Sequence, residues 1–194
     1  MKRCLVGAMV LFLLAGCSGS GSPSIRYYVL ESTANEPGAV LPDVSVQIED
    51  LEIPQYLERY QIVTRRSGTE LQFSEVHQWG DNLRKNLTRA LADNLSIGLG
   101  TDRVGTPSQR LAEKADFRLR LNLTRFERDA SGVVRLAARW QIVDATLTSS
   151  GSTEIAADRS HDDYPGTVAE MSEVIGELSA MLAATIAERA GASE

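Results

Sequence analysis

Phe117, Leu119, Leu121 and Leu123 alternate with Arg118, Arg120, Asn122 and Thr124, and this single stretch restricts the chain to folds built on a one-sided sheet. Successive side chains of an extended strand point to opposite faces, so one face is made for a core and the other for water. After a polar turn at Asp129 to Gly132 the pattern returns in Leu136, Ala138, Trp140 and Ile142, which gives a long hairpin. Ser149 to Ser152 reads as the next turn, leading into a strand through Ile155 to Arg159.

Upstream, the aromatic and β-branched run Tyr27, Tyr28, Val29 and Leu30 suits a strand, and Thr33 to Gly38 supplies turn residues. Val44, Val46 and Ile48 alternate with polar residues until Pro54 ends the extension. Tyr60 to Arg65 and Glu70 to Phe73 flank Ser67-Gly68 and form a short hairpin. The period then changes: Trp79, Leu83, Leu87, Leu91 and Leu95 recur every fourth residue and predict an amphipathic helix opened by the tryptophan, with Gly98 and Gly100 as stops. Val168, Met171, Ile175, Leu178, Leu182 and Ile186 form a second helical stripe, read as core rather than as a cofactor box. The expected fold is α+β: a single domain over residues 25–190, with a largely antiparallel or mixed sheet and two amphipathic helices packed on it.

The amino-terminal end carries Lys2 and Arg3, an apolar stretch from Leu5 to Leu14, and small residues before a cysteine. These are the parts of a secretory signal peptide over residues 1–16, and the apolar stretch is too short to remain as a membrane-spanning helix. Leu14-Ala15-Gly16-Cys17 resembles the cleavage and acylation box of bacterial lipoproteins, which makes Cys17 the lipidation site. A single acyl chain anchors only marginally, whereas the two or three chains expected there hold a protein stably on a membrane. Residues 17–24 are then the lipidated cysteine and a flexible Ser/Gly tether, with a reach of about 25 Å for the seven residues after Cys17. Ser18, directly after the cysteine, is similar to the sorting pattern of outer-membrane lipoproteins, so the domain is expected to face the periplasm from the outer membrane.

Without residues 1–16, 178 residues remain, with 18 basic against 26 acidic side chains and a net charge of −8. An acidic surface argues against nucleic acid and against electrostatic attachment to anionic lipid headgroups. Cys4 leaves with the signal and Cys17 is acylated, so no cysteine remains for a disulfide, a thiolate nucleophile or a metal site. His77 and His161 are the two histidines, and neither has ligand partners at metal-site spacing; His161-Asp162-Asp163 reads as a solvated loop. The chain carries neither a Gly-x-Ser-x-Gly elbow nor a phosphate-cradling Gly-x-x-x-x-Gly-Lys. We therefore expect no catalytic residues, no metal and no cofactor beyond the covalent lipid on Cys17.

A more specific block runs Ile53-Pro54-Gln55-Tyr56-Leu57-Glu58-Arg59-Tyr60-Gln61-Ile62-Val63-Thr64-Arg65, followed by Trp79 and Leu83. It resembles the PqiC/YmbA family, lipoprotein components of ABC-type and MCE-type intermembrane transport systems. Pro54, Tyr56, Leu57, Arg59, Gln61, Ile62, Val63, Arg65 and Trp79 match the family pattern. Glu58 replaces the usual Asp, and Gly80-Asp81 replaces Ala-Glu. The resemblance implies a non-enzymatic accessory subunit of an intermembrane lipid transport system that contributes to envelope integrity. Its partner would be an MCE-domain, PqiB-like subunit, and it would form a homo-oligomeric ring. Tyr56, Glu58 and Arg59 would belong to the docking surface for that partner, since Tyr and Arg are residue types that carry interface energy. The same residues also admit a purely structural role, in which Pro54 ends a strand, Tyr56 and Leu57 plug the sheet edge, and Arg59 pairs with Glu58 or caps carbonyls. A rival reading is a structural or pilot lipoprotein that assists assembly of an outer-membrane complex; an enzyme acting on envelope lipids would need a catalytic set, for which His161, Asp162 and Asp163 are the nearest candidates.

Overall fold

Strand β6 (Phe117–Arg128) realises the alternation read from the sequence: Phe117, Leu119, Leu121 and Leu123 are at most 4 % exposed, and the residues between them face water or lie at its margin. The computed structural model describes residues 24–192, so the signal segment, Cys17 and all but the end of the tether lie outside the described residues. Before β6 come β1 (Arg26–Tyr28), β2 (Val46–Glu52), a 3-10 turn (Gln55–Leu57), β3 (Gln61–Arg65), β4 (Leu71–Trp79), α1 (Leu83–Leu99) and β5 (Val104–Gly105). After it come β7 (Val133–Val143), β8 (Thr148–Ser160) and α2 (Tyr164–Gly191).

One edge of β6 pairs with β7 along its whole length, and β7 pairs in turn with β8, all antiparallel. The other edge is shared: β2 runs parallel to the first half of β6, and β3 meets its last residue at Thr64↔Arg128. Beyond these lie β5, parallel to β2, and β4, antiparallel to β3, with β1 parallel to β4 at the margin. The sheet is thus mixed, as one of the two expected arrangements had it. Two irregularities reset the side-chain parity. The ladder between β6 and β7 shifts between Leu123 and Arg125, so Phe126 turns inward and is fully buried; that between β2 and β6 shifts between Ile48 and Asp50, so Leu51 rather than Asp50 enters the core.

Both helices cover the apolar face. Helix α2 packs on β6, β7, β8 and α1, and α1 packs on β2 and β5. All six residues of the predicted α2 stripe are buried in one continuous core. Asp163, expected in a solvated loop, caps this helix: its Oδ1 accepts from the Gly166 N–H at 2.7 Å.

Three sequence expectations are corrected. Trp79 does not open a helix; it ends β4, its N–H donating to the Tyr60 carbonyl at 2.7 Å, and α1 starts at Leu83 behind Asn82, whose Oδ1 accepts from Lys85 N–H. The four-residue period ran on through Trp79 because its side chain is buried in the same core. Gly98 lies inside α1 and Gly100, at φ +60°, is the stop. The turn placed at Ser149 to Ser152 lies instead at Asp144 to Leu147, where Asp144 Oδ1 accepts from the N–H groups of Thr146 and Leu147 at 2.7 and 2.8 Å. Gly151 is inside β8, opposite Trp140, and a Cβ there would come within 2.6 Å of the indole. Its small size accommodates a cross-strand ring rather than a turn.

Phe126→Ala is expected to lower the unfolding free energy by about 3–5 kcal/mol in a urea titration, because the emptied volume lies between sheet and helices. A loss below about 1 kcal/mol would show that the parity reset does not place this ring in the core.

Candidate docking corner and groove

The motif segment 53–65 folds into a corner that crosses from β2 to β3. Pro54, at φ −56°, leads into the 3-10 turn, and Leu57 is 2 % exposed beneath it. Tyr56 turns inward and its hydroxyl donates to Glu127 Oε2 at 2.8 Å. Glu127 is fully buried, and its Oε1 accepts from Arg65 Nε at 2.7 Å and from Arg125 Nε at 2.8 Å. The Phe126 N–H supplies a further contact to Oε2 at 3.3 Å. Burial, together with the hydrogen bond to Glu127, pushes the Tyr56 phenol up to about 12, and the bond to Glu127 raises Arg65 above its ordinary value despite desolvation. One carboxylate thus ties two residues of the motif to the end of β6. Sequence reasoning missed Glu127, because one glutamate in a chain with 26 acidic residues carries no signal of its own; the parity reset puts it on the face opposite Phe126, where the corner covers it.

Glu58 and Arg59 stay on the surface. Glu58 pairs with Arg84 in the first turn of α1, not with Arg59. The Arg59 guanidinium carbon lies 4.2 Å from the centre of the Phe73 ring, a cation–π contact. Tyr60 and Phe73 are exposed beside them. Tyr56, Glu58 and Arg59 are therefore brought to one corner, with Tyr56 as its internal strut and the other two on its outside.

A groove of about 760 Å³ lies between the segment 31–39, the second half of α1, the outer face of α2 and the end of β8. Gly98, Ala180, Ala183, Ala184 and Ala187 give it a small-residue lining. Asn94 holds the covering segment: its Oδ1 accepts from Ser32 Oγ at 2.7 Å and from the N–H groups of Thr33 and Ala34 at 3.0 and 2.9 Å. The N–H groups of Gly38 and Ala39 donate to the Gly98 carbonyl at 2.9 and 3.1 Å. At Gly176 a Cβ would sit 2.0 Å from Thr33 Oγ1, so a larger residue there would force the Thr33 side chain to move. Five carboxylates and one guanidinium, Arg159, line the groove. Among them Glu170 is 4 % exposed and neutralised by Arg159 at 2.7 Å, with His161 Nε2 at 3.3 Å from the same oxygen.

A family model described as ABC-type transport auxiliary lipoprotein component matches residues 28–183, most of the chain. The chain belongs to this family. The resemblance read from residues 53–83 is borne out, and the protein is an auxiliary component of the lipoprotein type in ABC-type transport. No curated protein matches the chain. Among solved structures, an uncharacterised protein is 22 % identical, with a TM-score of 0.63 over 86 % of this chain and 98 % of its own. Protein XCC0632 from Xanthomonas campestris, of the DUF330 family, is 12 % identical, with a TM-score of 0.65 over 88 % of this chain and 100 % of its own. At these identities the two structures share its fold.

Elsewhere in this auxiliary lipoprotein the histidines are held in separate structural contacts. The His77 ring stacks on Tyr164 at 4.1 Å between centroids, its Nδ1 lies 2.7 Å from the Tyr28 hydroxyl, and burial with nearby Arg26 lowers its pKa. Among the described residues no group of three or more His, Cys, Asp or Glu side chains is placed to hold a metal ion. Asp129, at the β6–β7 turn, is raised by burial but held down to about 2 by the Ser131 hydroxyl, Arg135 and the N–H groups of Ser131 and Val133.

Glu127→Ala should cost about 3–5 kcal/mol of stability, since it strands two guanidinium groups beside a half-buried phenol. Tyr56→Phe should cost less, about 1–3 kcal/mol, because it leaves one carboxylate oxygen short of a donor. Equal, negligible losses by chemical denaturation would show that the corner is not tied through this carboxylate. The Asp129 carboxyl is lowered on folding from 3.8 to about 2, so its stabilisation is complete above about pH 4 and is lost as the pH falls toward 2. Unfolding profiles of the wild type and Asp129→Asn should therefore converge over that interval; parallel profiles would contradict the assignment.

Proposed function

We propose that this protein is a non-enzymatic accessory subunit of an MCE/ABC-type intermembrane lipid transport system, anchored in the outer membrane through lipid on Cys17 and facing the periplasm. The match to the auxiliary-lipoprotein family over residues 28–183 carries this reading. The sequence supports it with the acylation box at Leu14 to Cys17 and the Ser18 that follows. In this role the domain contributes to envelope integrity by holding the receiving end of the transporter at the outer membrane. Glu58 and Arg59 contact the MCE-domain subunit, and Tyr56 keeps their corner in shape through Glu127.

Affinity purification of the wild-type lipoprotein in native detergent should recover an MCE-domain protein. Its consistent absence, with a β-barrel protein recovered instead, would replace this reading with that of a pilot lipoprotein. Cys17→Ala should leave the fold unchanged while releasing the protein from the outer-membrane fraction. Retention of that variant would show that another surface provides the anchor.

A further inference from the structure

Strand β1 and the residues that flank it carry apolar side chains on both sides, and the fold uses only one of them. Tyr28 packs against the core and Leu30 is fully buried, whereas the alternate residues Ile25, Tyr27 and Val29 are 47, 65 and 48 % exposed. Tyr27 and Val29 lie together over the end of β4, where a Cβ at Gly80 would meet Val29 Cγ1 at 3.3 Å and Tyr27 Cβ at 4.0 Å. Alternation along the strand puts Ile25 on the same side. A one-sided sheet places polar residues at such positions, as β6 does with Arg118, Arg120, Asn122 and Thr124. Exposed apolar residues scattered singly are ordinary; three in alternation on one short edge strand mark a contact surface.

The place of this patch in the chain says what covers it. Ile25 is the eighth residue after Cys17, and the seven residues between them reach at most about 25 Å and typically about 15 Å. Acyl chains on Cys17 therefore keep the patch within that distance of a bilayer surface. The tether itself, Ser-Gly-Ser-Gly-Ser-Pro-Ser, has no large apolar side chain to lay over it. Its chemistry also suits a lipid interface. Tyrosine joins an apolar ring to a polar tip, and Arg26, exposed between Ile25 and Tyr27, supplies a guanidinium for a headgroup phosphate.

We infer that Ile25, Tyr27 and Val29 seat the domain on the phospholipid surface to which Cys17 tethers it, with β1 toward the bilayer. The inference rests on the reading of Cys17 as the acylated anchor. Three side chains orient a domain rather than hold it, so the acyl chains remain what retains the protein on the membrane. Trp79 pairs with Tyr28 and donates to the Tyr60 carbonyl, so the corner 54–65 lies one strand away from the seat. Seating β1 thereby brings that corner to the membrane, where the receiving end of a transporter delivers.

The test uses the full acylated lipoprotein in phosphatidylcholine vesicles, with a nitroxide on Gln78→Cys, which stands opposite Tyr27 in the ladder and far from Cys17 in the chain. Cys4 leaves with the signal and Cys17 is acylated, so this label is unique. A control label sits on Leu147→Cys, exposed in the turn between β7 and β8 on the other side of the sheet. The Gln78→Cys label should be shielded from a water-soluble relaxation reagent and open to oxygen, and the Leu147→Cys label should be accessible to the reagent. The triple variant Ile25→Ser/Tyr27→Ser/Val29→Ser should lose the shielding while staying on the vesicles. Circular dichroism checks its fold, and Tyr27→Ser alone gives the same reading if the triple variant unfolds. A Gln78→Cys label open to the reagent in the wild-type background, or shielding unchanged by the serine variants, would overturn the seat and leave the anchor intact. Spin–spin broadening between Gln78→Cys labels that disappears on dilution with unlabelled protein would show a second copy on the patch, and would overturn it as well. A free thiol at Cys17 in the mature protein, with no partition to vesicles, would bring down the anchor reading and the seat with it.

Discussion

The twelve residues of β6 organise this molecule, because among the described residues they form the one strand with three neighbours. Hydrogen bonding to β7 fixes the meander that ends in β8, and the opposite edge joins β2 over its first half and β3 at its end. The shift between Leu123 and Arg125 then does two things at once: it commits the Phe126 ring to the core and turns the Glu127 carboxylate under the corner 54–65. A buried anion is tolerated only where donors surround it, and here Arg65, Arg125 and Tyr56 provide them. The corner therefore belongs to the sheet rather than to the loops.

What could be read in the sequence follows from how local each signal is. The alternation of β6 and β7 and the stripes of α1 and α2 are written in consecutive residues, and the structure has them at those places. Parallel pairing of β1 with β4, and of β2 with β6, joins residues far apart in the chain and leaves no periodic trace. Trp79 misled because burial beneath the core continues the spacing of α1 without continuing its backbone. Ser149 to Ser152 misled because small residues serve a turn and also a strand beside an indole. Glu127 and the groove were out of reach for a further reason: both arise where separate segments meet.

The candidate surfaces divide the labour between shape and charge. At the corner, the motif residues Tyr56 and Arg65 act inwardly, which explains why a tyrosine and an arginine at that spacing are needed even before any partner is considered. Glu58 and Arg59 are held by Arg84 and Phe73 and present a fixed pattern to the outside. The groove is different in kind: its covering segment hangs on Asn94 and the Gly98 carbonyl, and of its five carboxylates only Glu170 has an ionic partner among the described residues.

Hydrogen–deuterium exchange on the lipoprotein, alone and bound to the MCE-domain subunit, tests this account most directly. Protection on binding should appear in residues 54–65 and in the first turn of α1, with the open face of β6, β7 and β8 away from that corner unchanged. Protection confined to that open face would contradict it.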